Sequence, residues 1–124
     1  PSTPAQHAAL VAFEPDTLAL LDARRDELRQ RRDYLVPQLR ELGFDIPQMP
    51  EGAFYIYAGC SRLTNDSYGF AMDLLEEAGV AITPGIDFGA HRAAEHVRFA
   101  YTAAMAQLEE AVTRIRNFIA DRRR

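Results

Sequence analysis

A single arginine inside a run that reads as a strand, Val97-Arg98-Phe99-Ala100-Tyr101-Thr102, is the residue best placed to do chemistry. A charge in mid-strand is costly unless something pairs with it. Alternation puts Arg98 on the sheet face opposite Val97 and Phe99, the face it shares with Ala100. Two readings follow. In one, Arg98 pairs with an acid such as Glu95, or is merely solvated at a sheet edge. In the other, it is a fixed guanidinium that holds a ligand carboxylate through two parallel hydrogen bonds, a task that suits Arg better than Lys.

A second group of interest is Thr83-Pro84-Gly85 with Phe88-Gly89. Gly85 and Gly89 allow backbone conformations closed to other residues and let a ligand or another chain approach. The same residues also suit an ordinary connection. No phosphate-binding glycine motif is present. Tyr55 and Tyr57 read as sheet-packing residues, and Asp66-Ser67 as a helix cap. Glu76-Glu77 and Glu109-Glu110 read as solvated helix faces. His7, His91 and His96 lack ligand spacing on a common helix, so no metal site is expected.

All 14 basic residues are arginine, and the sequence contains no lysine. Chemistry that needs a lysine amine, such as a Schiff base with a carbonyl compound, cannot run on this polypeptide alone. The formal charge of -4 argues against a nucleic-acid partner bound through phosphates. With 48% hydrophobic and 26% charged residues, the chain reads as globular. No apolar run approaches the roughly 20 residues of a membrane span. One cysteine, Cys60, excludes an internal disulfide and a cysteine-rich zinc site. We expect a cytoplasmic protein without a leader sequence.

The elements that must position these residues follow from periodicity. Thr3-Pro4 starts a helix with an alanine face at Ala5, Ala8, Ala9 and Ala12. A long helix over Thr17–Leu42 carries Leu21, Leu28, Leu35 and Leu42, with Leu18 and Leu39 beside them. This pattern fits a coiled coil or, better, a helix covering a sheet. Pro37 should kink or break it. Strands are expected over Phe44–Ile46, Ala53–Ala58, Val80–Thr83 and Val97–Thr102, with loop over Asp87–Ala94. A helix ending at Ala78 should turn Phe70, Leu74 and Leu75 inward. A closing helix over Met105–Asp121 should bury Leu108, Val112, Ile115 and Ile119. The order is α-α-β-β-α-β-β-α. It predicts an α+β fold with a small sheet, mixed or mainly antiparallel, covered by helices on one side. The basic tail, Arg122–Arg124, should fray.

Together PEGAFYIY, LLEEAGVAITPGIDFG and EHVRFAYT, followed by an amphipathic helix containing RI, resemble the C-terminal part of the class I/II pyridoxal-phosphate-dependent aminotransferases. AQHAAL and RRDYLVPQLRELG fit that family's interdomain helix region. The resemblance runs from about Gln6 to Ile119 and implies a single small domain over 1–124. Residues 1–43 would form the interdomain helix region, and 44–121 the sheet with its helices. It implies that Arg98 binds the α-carboxylate of an amino-acid or 2-oxo-acid substrate. It also implies that Gly52, Phe54, Tyr55, Pro84, Gly85, Phe88 and Gly89 line the cleft, with Pro50 in the same turn.

The resemblance further implies a homodimeric enzyme that moves an amino group with pyridoxal 5'-phosphate. The large domain that would carry the cofactor, the catalytic lysine and the phosphate-binding residues is absent from the sequence. No catalytic, cofactor-binding or metal residue is therefore expected here, and the chain should be inactive alone. Its alanine face, left uncovered, should favour self-association. Two other readings remain: a stand-alone carboxylate-binding or regulatory module, and an interaction domain in which Arg98 makes an internal ion pair. The side chain of the substrate is not legible.

Overall fold

The computed structural model describes residues 1–122. Two compact units are present, Pro1–Gln30 and the chain from Arg31 onward. In the first, α1 (Thr3–Val11) has Pro in its opening turn, where a missing N–H costs nothing. None of its residues is buried, and the alanines at 5, 8, 9 and 12 are all exposed. The second helix, α2 (Pro15–Glu41), begins in this unit. It starts two residues before the expected Thr17, with Asp16 in its first turn, where a carboxylate complements the helix dipole.

α2 ends in the second unit and continues through Pro37 instead of breaking there. Proline inside a helix costs about 3 kcal/mol. Burial of Leu35, Val36 and Leu39 around it offsets that cost. The leucine heptad divides accordingly: Leu35 and Leu42 are buried, while Leu18 and Leu21 are exposed.

The second unit holds a three-stranded antiparallel sheet of β1 (Tyr55–Gly59), β2 (Thr83–Pro84) and β3 (His96–Ala100), in the order β1-β3-β2. Behind it lie α3 (Ser67–Ala78) and α4 (Met105–Asp121). The α+β fold is as expected, with one strand fewer. Phe44–Ile46 makes only an isolated bridge, Asp45 to Gly59. Pro47 follows at once and, lacking an N–H, cannot extend the ladder. β1 begins at Tyr55, because Ala53 sits in the left-handed region at φ 61°. β2 pairs only over Thr83–Pro84, not over Val80–Thr83. Two short 3-10 turns, Gly85–Phe88 and Ala93–Glu95, overlap the two ends of the loop expected over Asp87–Ala94.

One face of the sheet builds the core. Ile56, Ala58, Val97 and Phe99 are buried there. Phe44 meets Phe99 edge-on at 5.0 Å and Phe70 at 6.2 Å, and Phe70 meets Phe118 at 5.6 Å. α4 buries Leu108, Val112, Ile115 and Ile119 as its periodicity predicts, and Phe118 besides. In α3, Phe70 and Leu74 are buried, but Leu75 is exposed. Adjacent helical residues point about 100° apart, so both leucines cannot face the sheet. Gly79, left-handed at φ 66°, ends α3.

Candidate functional site

The other face of the sheet is not covered by helix, and there the site forms. Antiparallel register places Tyr57 of β1 and Thr83 of β2 on either side of Arg98. Residues directly opposite in such a ladder share a face. Val97 and Phe99 point into the core, so Arg98 must point out. It reaches a cavity of about 550 Å³ lined by Tyr55, Tyr57, Phe88, Gly89, Ala90, His91 and Arg98.

Glu95, the expected ionic partner of Arg98, is taken by Arg92, whose Nε and Nη2 donate to it at 3.0 and 2.5 Å. That bond holds the Glu95 carboxyl below the usual range. Arg98 makes no ion pair with any described residue. Its Nη2 donates to Thr83 Oγ1 at 3.2 Å. Its Nε is buried with no acceptor. The guanidinium lies over the rings of Phe88 at 4.9 Å and Tyr55 at 5.7 Å, where the π faces attract its charge. Arg98 is thus held by two rings and one hydroxyl, with a cavity before it and its charge unpaired among the described residues.

The walls are braced from behind. Tyr57 stacks on His96 at 5.0 Å with planes 6° apart, and Phe88 meets the Tyr57 ring edge-on at 5.8 Å. His96 Nδ1 lies 3.0 Å from the Arg92 carbonyl. A carbonyl only accepts, so Nδ1 is the donor in this contact. Gly85 is packed against backbone: a Cβ there would lie 2.4 Å from the Ala93 carbonyl oxygen and 2.8 Å from that of His96. Only glycine lets the turn carrying Phe88 settle on the segment leading into β3.

The residues singled out in the sequence divide. Tyr55, Phe88, Gly89 and Arg98 are together at the cavity. Gly52, Phe54, Pro84 and Gly85 are not among its lining residues. Gly52 instead lends its carbonyl to the buried Tyr101 hydroxyl at 3.3 Å, and Ala53 does so at 3.1 Å. Phe54 is exposed and packs edge-on against Tyr55. Pro84 pairs in β2, and Gly85 supports from beneath. Sequence reasoning does not single out Tyr57, Ala90 and His91 as lining residues. Tyr57 is legible as the next outward residue after Tyr55, whereas Ala90 and His91 carry no sequence signal.

Among the described residues, no group of three His, Cys, Asp or Glu side chains can hold a metal ion. No helix there is long and apolar enough to cross a membrane. Cys60 is fully buried, and that burial pushes its thiol up to about 11, which leaves it a poor nucleophile.

The second unit is thus an α+β fold that presents a guanidinium on the open face of its sheet beside an aromatic-lined cavity. The chain belongs to the class I and II aminotransferase family, whose model it matches over residues 2–115. It is 38% identical over 119 residues to the valine–pyruvate aminotransferase of Mycobacterium tuberculosis, covering 96% of this chain and 31% of that protein. It is also 38% identical over 116 residues to the aspartate/prephenate aminotransferase of Thermus thermophilus, covering 92% of this chain and 29% of that one. The crystal structure of an aminotransferase from Mycobacterium tuberculosis superposes with a TM-score of 0.86 at 38% identity, covering 92% of this chain and 30% of that one. The chain thus spans about 30% of the length of these relatives.

Proposed function

We propose that this chain is the part of a pyridoxal-phosphate-dependent aminotransferase that grips the α-carboxylate of an amino-acid or 2-oxo-acid substrate, with Arg98 as the anchor. The observation that carries this reading is the Arg98 guanidinium, buried at Nε without an acceptor and held at the cavity by Thr83, Phe88 and Tyr55. Arg98 supplies orientation, fixing one end of the substrate so that its α-carbon is presented in one pose. Tyr55, Tyr57 and Phe88 give the cavity aromatic walls beside the guanidinium.

Pyridoxal phosphate is the cofactor that the family implies, and the residues present do not fit it. The sequence holds no lysine to engage the cofactor's aldehyde, and Arg98 is the one arginine among the described residues that line the cavity. No step through the cofactor is assigned to this chain. We place the cofactor site and the dimer interface in a longer polypeptide, and take the chain to be inactive alone.

The test is the intact mass and absorbance of the natural polypeptide, isolated from its source cells with an antibody against this chain. A longer product that absorbs visible light supports the reading. In it, Arg98→Lys, which keeps the charge but loses the two-pronged geometry, should lower kcat/KM about 10-fold or more, the cost of losing a hydrogen bond to a charged group. A colourless natural product of 124 residues would overturn it.

A further inference from the structure

Stacking and hydrogen bonding constrain a guanidinium in different ways. Phe88 and Tyr55 fix the plane in which the Arg98 head group lies, but a ring face has no direction within that plane. The rotation within the plane needs a directional contact. Among the described residues, Thr83 Oγ1 alone supplies one, accepting from Nη2 at 3.2 Å.

Thr83 is well suited to the task. It is half-buried and stands directly opposite Arg98 in the β2–β3 ladder. Its branched side chain has few rotamers. The next residue, Pro84, has φ -69° and pairs with Val97, which pins the short strand. We propose that Thr83 is a positioning residue for carboxylate recognition: its hydroxyl sets the rotation of the Arg98 guanidinium, so that the remaining N–H groups present to the cavity. This rests on Arg98 being the carboxylate anchor.

The experiment compares the wild-type chain with Thr83→Val, which keeps shape and loses the hydroxyl, and Thr83→Ser, which keeps the hydroxyl. Sodium pyruvate is titrated into each, followed by NMR of the Arg98 Nε–H group, with thermal unfolding as the check on fold. Thr83→Val should weaken pyruvate binding about 10-fold, as expected for losing a hydrogen bond to a charged group. It should also speed solvent exchange of the Arg98 Nε proton. Thr83→Ser should stay within about 2-fold of wild type on both readouts.

Equal binding and equal Nε exchange in wild type and Thr83→Val would overturn the proposal. So would a serine variant as impaired as the valine variant. If Thr83→Val does not fold, the serine variant and Thr83→Ala decide in the same way. If wild type and Arg98→Ala bind pyruvate equally, or neither binds, the anchor reading fails. The Nε exchange rates without ligand then still show whether Thr83 orders the guanidinium.

Discussion

The Arg98 guanidinium carbon stands 4.9 Å from the centre of the Phe88 ring, with no carboxylate of the described residues paired to it. The ring thus does part of the work that an acidic partner would do, without neutralising the charge. A partly desolvated cation over an aromatic face gains about 0.5–1 kcal/mol or more. Phe88→Leu keeps the apolar wall but removes the quadrupole. It should weaken carboxylate binding about 2- to 5-fold, measured by titration with pyruvate, while the unfolding temperature changes little.

Gly85 is a packing requirement beneath the site. Any Cβ at this position would meet two backbone carbonyl oxygens, at 2.4 and 2.8 Å. Backbone yields less readily than a flexible side chain. Gly85→Ala should destabilise the fold by about 1–3 kcal/mol, read by urea denaturation. It should also displace Phe88, so that carboxylate binding falls with stability.

Tyr101 fastens the turn before β1. Its buried hydroxyl donates to the carbonyls of Gly52 and Ala53, a shared bond at 3.3 and 3.1 Å, and its backbone N–H donates to the Phe54 carbonyl at 2.9 Å. Tyr101→Phe should cost about 1 kcal/mol. The loss should appear in denaturation curves, with faster amide exchange confined to residues 50–55.

Stability should also depend on alkaline pH in a defined direction. Burial pushes the Cys60 thiol from its ordinary 9.0 up to about 11 and raises the Tyr101 hydroxyl above 10.0. Both groups are neutral when protonated, and the fold favours that form. The stability they contribute is fully present below the unfolded values and is lost as pH rises through the folded ones. Unfolding free energy should therefore fall between about pH 9 and 11, and Cys60→Ala should remove part of the slope. Native Cys60 should react with a thiol reagent at pH 8 only as fast as the protein opens.

Much of the fold was legible because its signals are local. The apolar stripe of α4, the left-handed stop at Gly79 and the outward placement of Arg98 follow from periods of 3.6 and 2 and from glycine's freedom. What was not legible depends on distant contacts. Nothing near Pro37 announces that buried leucines on either side let α2 run through it. Ala53 reads as the start of a strand, yet the Tyr101 hydroxyl, 48 residues away, holds its carbonyl in a left-handed turn.

The site divides in the same way. Arg98 stands out as a charge on a strand, whereas Thr83 reads only as a strand end opening a glycine-bearing loop, with nothing to tie it to Arg98. Its role depends on the register between β2 and β3, which no short stretch of sequence encodes. Glu95 was the natural partner for Arg98 by proximity in sequence. The left-handed backbone at Arg92, φ 49°, begins the turn in which Arg92 takes that carboxylate instead. Arg98 is left without an ionic partner among the described residues.

The most direct measurement of the Arg98 anchor is a sodium pyruvate titration of the chain, observed at the Arg98 Nε–H group and repeated with Arg98→Ala. A saturable shift at Arg98, with wild-type affinity lost in the alanine variant while the fold persists, is the predicted result. Binding that is unchanged in Arg98→Ala, or a wild-type Arg98 signal that does not respond to the carboxylate, would contradict it.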